Sequence, residues 1–576
     1  MLDFKINRKM LYMKLHYFFW NAGTAPIVPF LSIYARQLGI SSTIVGVMYT
    51  VMTIMGMLAK PLFGAIADRY RCQKMIFLTF ILVTAAAFLA TYHSPSIAVE
   101  RPMHLACDQS YAFLDTCNAN NTCTVEELLL EVGENGSIQC DINCEMKPEY
   151  YKTVCEGWKV DKYCGEQSGD HLEFSVILPI QHFQHMGSCL YFKIQHAIFD
   201  NKQYYPNCVD AAHHISTMCD VKCNEFLLNE ILKQPTVENN EFYHTYEFWL
   251  VFLFMIIGWV GQAIVVSVTD AVCFAMLENQ PNKYGVQRSF GALGWGVFSI
   301  ISGFMIDTSS SGTSKYYLPV FYLGASLLIV DFIISLNIKY TQKEMTTRIF
   351  HDVALLFKNI RIIIFVVFCI FVGMCTGLIW NFFFWLIEDL AKSQGCGYME
   401  WIKTLEGLIM GVQCLLGELP FFFVSGSILK RIGHVHAMTV ILCVMGIRFV
   451  LYSVISNPWY FLPIELLNGV TYGLFYAAMA SYASIVAPPG TETTMQGLFG
   501  AVFEGVGVSL GSLLGGQLLE EVGGVWTFRI FGISSLSLCV VHAALQFIMR
   551  KSPQDSEVQY AAPLDAINII NGQWKS

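Results

Sequence analysis

The stretch "GAIADRYRCQK" (Gly64–Lys74) closes one long apolar run, and "GSILKRIGHVH" (Gly426–His436) closes another. In each, an ionisable residue stands four positions after the glycine and an arginine follows it, as Asp68-Arg69 and Lys430-Arg431. Six apolar spans separate the two copies. A unit of six spans that has been duplicated gives this spacing, so the two short loops fix the reading of everything around them.

The composition agrees. Of 576 residues, 54% are hydrophobic and only 14% charged, against roughly 25% charged in soluble domains. About 20 apolar residues cross a bilayer as a helix. Apolar runs predict twelve such helices, near 11–36, 42–66, 74–94, 246–276, 286–306, 317–338, 361–387, 401–425, 435–456, 459–486, 494–520 and 525–549. The expected class is an all-α membrane protein with two six-helix halves, embedded in the lipid bilayer. "MLDFKINRKMLYMK" is basic, but the apolar stretch after it is long enough to be a first span, so no cleavable leader is expected.

Lysine and arginine in short loops set the orientation. Lys5, Arg8, Lys9 and Lys14 precede the first span; Arg69, Arg71 and Lys74 follow the second; Lys339, Lys343, Arg348 and Lys358 follow the sixth; Lys430 and Arg431 follow the eighth. The alternate loops hold few, which places both termini in the cytoplasm.

The chain divides accordingly. Residues 1–94 hold helices 1–3, 95–245 an extracellular insert, 246–338 helices 4–6, 339–360 a cytoplasmic connector, 361–550 helices 7–12 and 551–576 a polar tail. Eleven of the nineteen cysteines lie in the insert. That density suits an oxidising compartment and a disulfide-held domain. Sequons at Asn120 and Asn135 mark the same loop for glycosylation. An odd count leaves one cysteine over, and Cys396, in the loop after the seventh span, is the expected partner. Metal binding is the alternative, but the spacings are irregular and no metal site is assigned. Passage through the secretory pathway follows, with the plasma membrane favoured over endolysosomes.

Ionisable groups at bilayer depth are costly and mark pathways by default. The spans contain Asp270, Arg288, Asp331, Glu406, Glu418, Arg448, Glu465, Glu504 and His542. The turn between the fourth and fifth spans centres near Asn279, nine residues from both Asp270 and Arg288. Antiparallel helices then bring both to one depth, roughly 13 Å in at 1.5 Å per residue. Trp295 lies two helical turns beyond Arg288 on the same face. An arginine fork, an acceptor carboxylate and an indole plate suit a sugar-like ligand; the same pair would also serve as a clamp between helices. Arg448 and Glu465 flank Ser456-Asn457 in the same way. Glu388-Asp389 reads as a solvated rim, Glu406 as interfacial and His542 as a packing residue. Gly507, Gly511 and Gly515 favour close helix packing.

These loops resemble the signature of the major facilitator superfamily, roughly G-x-x-x-D-R-x-G-R-[RK]. Gly64, Asp68, Arg69 and Lys74 match it; Tyr70-Arg71 departs where a second glycine is usual. Gly426 and Arg431 match in the second copy, where Lys430 replaces the acid. The resemblance implies that these loops latch neighbouring helices while two halves rock around a midplane site. "YGVQRSFGALGW" (284–295) with Asp270 is similar to lactose permease and its oligosaccharide–proton symporter relatives. That likeness implies solute binding by Asp270, Arg288 and Trp295, with Glu418 and Arg448 on the facing side. The coupling histidine and its partner acid fall on Asn468 and Thr471, so Asp270, Glu465 and Glu504 are the proton-coupling candidates. "FFFWLIEDL" (382–390) and "PPGTETTMQGLFGAV" (488–502) resemble the animal group called major facilitator superfamily domain-containing protein 6.

The expected function is a secondary transporter of a small polar solute, saccharide- or nucleoside-like, coupled to protons. The alternative is a cell-surface receptor that binds an extracellular protein partner through the insert and moves nothing. The net charge of −9 gives no signal for nucleic acid. No cofactor, nucleotide loop or catalytic triad is expected, and the chain is not read as an enzyme.

Overall fold

A computed structural model describes residues 8–95, 242–277, 284–310, 315–339, 360–395, 397–486 and 492–549, and most of 103–225 in segments. Helices α1 (Arg8–Thr24) and α2 (Val28–Gln37) form the first apolar run. The helix expected over 11–36 breaks at Ala25-Pro26-Ile27. Pro26 has no amide to donate and biases Ala25 away from the helical region. There follow α3 (Ser42–Arg69), α4 (Gln73–Tyr92), α5 (Tyr246–Leu277), α6 (Tyr284–Ser309), α7 (Leu318–Ser335) and α8 (Ile360–Gln394). Then come α9 (Ile402–Val454), α10 (Pro458–Val486) and α11 (Met495–Ile548).

Among the described residues, nine helices, α3 to α11, are long and apolar enough to cross a membrane. Two of them run through positions where the sequence places loops. α9 has 53 residues and α11 has 54. Each is two helices joined at a kink, and each half has enough residues at 1.5 Å per residue for the roughly 30 Å hydrocarbon core. Each contains one glycine with non-helical backbone, Gly433 at φ 75° and Gly523 at φ 80°. Glycine adopts that conformation without steric cost.

The stretch between α4 and α5, expected as a disulfide-held insert, is built mainly on a β-sheet, which adds strands to the otherwise helical expectation. Strands β1 (Met103–Asp108), β2 (Tyr111–Cys117), β3 (Ser137–Glu145), β4 (His171–Pro179), β5 (Phe183–Met186), β6 (Cys189–Lys193), β7 (His196–Phe199), β8 (Lys202–Tyr204) and β9 (Ser216–Cys223) form one antiparallel sheet. Their order is β5-β6-β2-β1-β9-β3-β4-β7-β8. Side chains alternate between a buried and an open face, as a half-covered sheet requires. Ile142, Phe174 and Val176 pack with Tyr150, Val154 and Trp158 from the helical segment at 148–158.

Disulfides hold the arrangement. Cys140–Cys223 and Cys144–Cys219 join directly opposed positions of β3 and β9. Cys107–Cys208 and Cys155–Cys164 pin the flanks. Asn120, Asn135, Cys396, most of the 339–360 connector and the 551–576 tail lie outside the described residues.

Glycines let the long helices approach. A Cβ on Gly46 of α3 would stand 2.5 Å from the Ser512 carbonyl of α11, and one on Gly303 of α6 would stand 2.0 Å from the Lys403 carbonyl of α9. Gly507 and Gly511 press on the Ile370 and Met374 carbonyls of α8, which is the packing role their spacing suggests.

Candidate functional site

Hydrogen bonding begins at the α5–α6 hairpin. Arg288 Nη1 donates to both carboxylate oxygens of Asp270, each at 3.2 Å. Tyr17 of α1 donates its hydroxyl to Asp270 at 2.8 Å. Tyr284 lies one turn before Arg288, its oxygen 3.5 Å from Nη1. Both charged side chains keep about a quarter of their surface exposed, 28% for Arg288 and 24% for Asp270. They neutralise each other without being sealed.

The facing side comes from α9, α10 and α11. Glu418 and Tyr476 are within electrostatic range of Arg288, and Tyr476 also of Asp270, Glu504 and Lys60. Tyr472 senses Glu418, Glu504 and Arg288. Glu418, Tyr472 and Glu504 each lie on a π-helical stretch, Val412–Glu418, Gly469–Leu474 and Ala501–Val508. Such widened turns recur at functional sites, since they turn side chains out of the regular register.

Lys60 of α3 was absent from the sequence-based set. Its Nζ stands 2.6 Å from Glu504, which joins α3 to α11. The pair lines a cavity together with Trp259 of α5 and Trp380 of α8. Trp295 sits half-buried on α6, and the tryptophans that wall this cavity are Trp259 and Trp380.

Arg448 and Glu465 also meet, but in a sealed pocket. Arg448 is 1% exposed and Glu465 0%. Arg448 bonds Glu465, donates to Asn468 at 2.9 Å and Thr471 at 2.7 Å, and donates through Nε to Tyr452 at 2.6 Å. Tyr452 in turn donates to Glu465 and stacks on Phe383 at 4.5 Å. Each of the three guanidinium nitrogens has a partner, so this cluster reads as a brace behind Glu418.

Behind Asp270 lies a second sealed network. His16 Nδ1 stands 2.8 Å from Asp331, and Nε2 stands 2.9 Å from Thr269. His16 and Asp331 are fully buried. His542 pairs with Thr439 at 2.8 Å.

The helix ends near the insert are locked by charge. Lys403 Nζ reaches Glu388 at 2.6 Å and Glu406 at 3.1 Å, with Lys403 and Glu406 fully buried. Arg36 joins Glu388 at 3.3 Å and also Asp389, linking α2 to α8. Lys315 bonds Asp307 at 2.8 Å. Two expectations are corrected here. Glu388 is no solvated rim and Glu406 is not interfacial, because Lys403 enters the protein to meet them; Asp389 alone stays exposed. On α3, α9 and α11, a Cβ on Gly64, Gly426, Gly497 or Gly500 would meet nothing within 4 Å, so open space lies beside these positions.

The signature loops begin at two of these glycines, Gly64 and Gly426. Arg69 and Arg431 are exposed, and the Asp68 side chain falls outside the described residues. Lys74 donates to the Leu336 and Ile338 carbonyls at 2.7 and 3.0 Å, tying the α3–α4 loop to the end of α7.

A helical membrane body with charged pairs around a central cavity and a closure at one end defines a membrane transporter of the major facilitator type. The MFS_1 like family matches residues 10–530, and the chain belongs to it. The Xenopus laevis major facilitator superfamily domain-containing protein 6-like protein B is 22% identical over 98% of this chain and 94% of its own. The maltose permease of Geobacillus stearothermophilus is 22% identical over 50% of this chain and 68% of its own. The crystal structure of the nucleoside transporter NupG superposes with a TM-score of 0.54 at 13% identity, covering 93% of this chain and 98% of that one. These relatives are transporters, not enzymes.

Proposed function

We propose that the chain is a twelve-span secondary transporter that carries a small hydroxyl-bearing solute, saccharide- or nucleoside-like, by alternating access. The observation that carries this is the juxtaposition of Asp270, Arg288 and Tyr17 with Glu418 and Tyr476 from the later helices. Such a site changes exposure when the two sets of helices rock. The span count follows if α1 and α2 together cross once, and if α9 and α11 each cross twice, turning at Gly433 and Gly523.

Arg288 offers a fork to two hydroxyls, Asp270 accepts from a third, and Glu418 faces them from α9. Lysine and arginine bias supports cytoplasmic termini and a sheet on the outside, and the plasma membrane is the proposed location. Proton coupling is assigned to Asp270, with Glu465 and Glu504 as the other candidates. A neutral carboxyl crosses the dry, closed state at lower cost than a charged one.

The test is solute-dependent proton entry into liposomes that hold a pH-sensitive dye. Sugars and nucleosides are added in turn, with Asp270→Asn as control. Entry that persists unchanged in the variant removes Asp270 from the mechanism. One observation favours a second role: the insert has its own core and disulfides, as a unit that binds an extracellular protein would. Deleting 100–240 abolishes partner binding under that reading and spares solute uptake.

A further inference from the structure

The cavity at Lys60–Glu504 differs in chemistry from the neighbouring Asp270–Arg288 pair. A lysine and a glutamate 2.6 Å apart present a donor beside an acceptor, and neither is sealed, with 27% and 38% of the side chains exposed. The walls are indoles. Trp259 comes from α5 and Trp380, 37% exposed, from α8. Gly56 faces Trp259, and Gly505 lies against Met57; both glycines line the cavity. Tyr476 lies within electrostatic range of Lys60 and Glu504 and also of Arg288 and Asp270, so the two ion pairs are neighbours.

Hydroxyl groups alone leave this cavity unexplained. Two tryptophans bury flat, apolar surface, and stacking needs a π face. An adjacent donor and acceptor fit a ligand edge that carries an acceptor next to a donor. We propose that this cavity is a ring subsite, which takes a flat heteroaromatic ring with that edge, as a nucleobase has. Lys60 donates to the ring acceptor, Glu504 accepts from the ring N–H, and the indoles cover its faces. The ion pair holds both groups in register while the site is empty. This rests on the transporter reading and extends it, since it makes the solute a two-part molecule: a hydroxylated part at Asp270–Arg288 and a ring at Lys60–Glu504.

The test is binding to full-length protein in nanodiscs, read by quenching of tryptophan fluorescence and by thermal shift. Uridine and adenosine are compared with ribose and maltose, which lack the ring. The variants are Trp380→Leu, its conservative control Trp380→Phe, and the double variant Lys60→Met/Glu504→Gln, which removes both charges together. The expected result is binding of the ring-bearing solutes by wild type, weakened about tenfold or more by Trp380→Leu and by the double variant. Trp380→Phe keeps it. Unchanged nucleoside affinity in both disruptive variants overturns the ring subsite and leaves the transporter reading standing. So does wild type that binds maltose or ribose and ignores both nucleosides. Binding of nothing in the panel, by monodisperse protein, overturns both.

Discussion

Asp270 and Arg288 are separated by 18 positions and meet at 3.2 Å across the turn between α5 and α6. The pair carries one charge of each sign at a depth where either alone is unfavourable. Asp270→Asn strands the guanidinium. Removing one partner of a fully buried pair costs about 3–5 kcal/mol, and the partial exposure here reduces that. Initial uptake is expected to fall about 10- to 100-fold. The double variant Asp270→Asn/Arg288→Gln removes the stranded charge. It should recover surface expression and not uptake. If uptake returns as well, the pair is only a clamp.

Lys403 gives a stability prediction. Its ammonium is fully buried and serves both Glu388 and Glu406. Lys403→Met leaves Glu406 without its cation and Glu388 with Arg36 alone. The expected cost is about 3–5 kcal/mol, seen as a clear fall in melting temperature in detergent. Neutralising the acids as well, with Glu388→Gln and Glu406→Gln, should restore most of it. A triple variant no more stable than Lys403→Met would show that the lysine acts through packing.

What was legible in the sequence followed local spacing. Asp270–Arg288 and Arg448–Glu465 are hairpin pairs, so counting from a turn brings them together. Lys60 and Glu504 are 444 positions apart, and no local count joins them. Lys60 stands in an apolar run before Pro61, which hides it. Lys403 escaped notice because it lies near a predicted span end, where a lysine ordinarily reaches to water. The sheet did leave a trace. Cys140 and Cys144 are four apart, as are Cys219 and Cys223, and an even spacing sets each pair on one strand face. The first two stand among alternating apolar residues in "SIQCDINCE" (137–145). High cysteine density masked that period.

The same disulfides predict how the insert fails. Cys140–Cys223 and Cys144–Cys219 staple adjacent strands at the middle of the sheet. Replacing Cys144 and Cys219 together by serine removes one staple and leaves no odd thiol. The loss is about 2–5 kcal/mol for a native disulfide in a small domain. The insert should become sensitive to limited proteolysis on intact cells, while the membrane helices stay resistant. Equal resistance in variant and wild type would mean that the sheet holds without this bond.

Gly303 tests the closure at the insert end. Its Cα side faces the Lys403 backbone so closely that a Cβ would stand 2.0 Å from the carbonyl oxygen. Backbone on both sides leaves no flexible side chain to yield. Gly303→Leu therefore pushes α6 from α9 and opens that end. The neighbouring Ser299 is fully buried and its carbonyl faces Gly407. A cysteine placed there, Ser299→Cys, should be shielded from an impermeant maleimide in the otherwise wild-type chain. In the Gly303→Leu background, labelling from outside should rise about tenfold or more, the population shift of roughly 1.4 kcal/mol. Uptake should fall, because a carrier held open on one side cannot complete the cycle. Labelling that stays at the wild-type level, with uptake intact, would refute the α6–α9 contact as the outer closure.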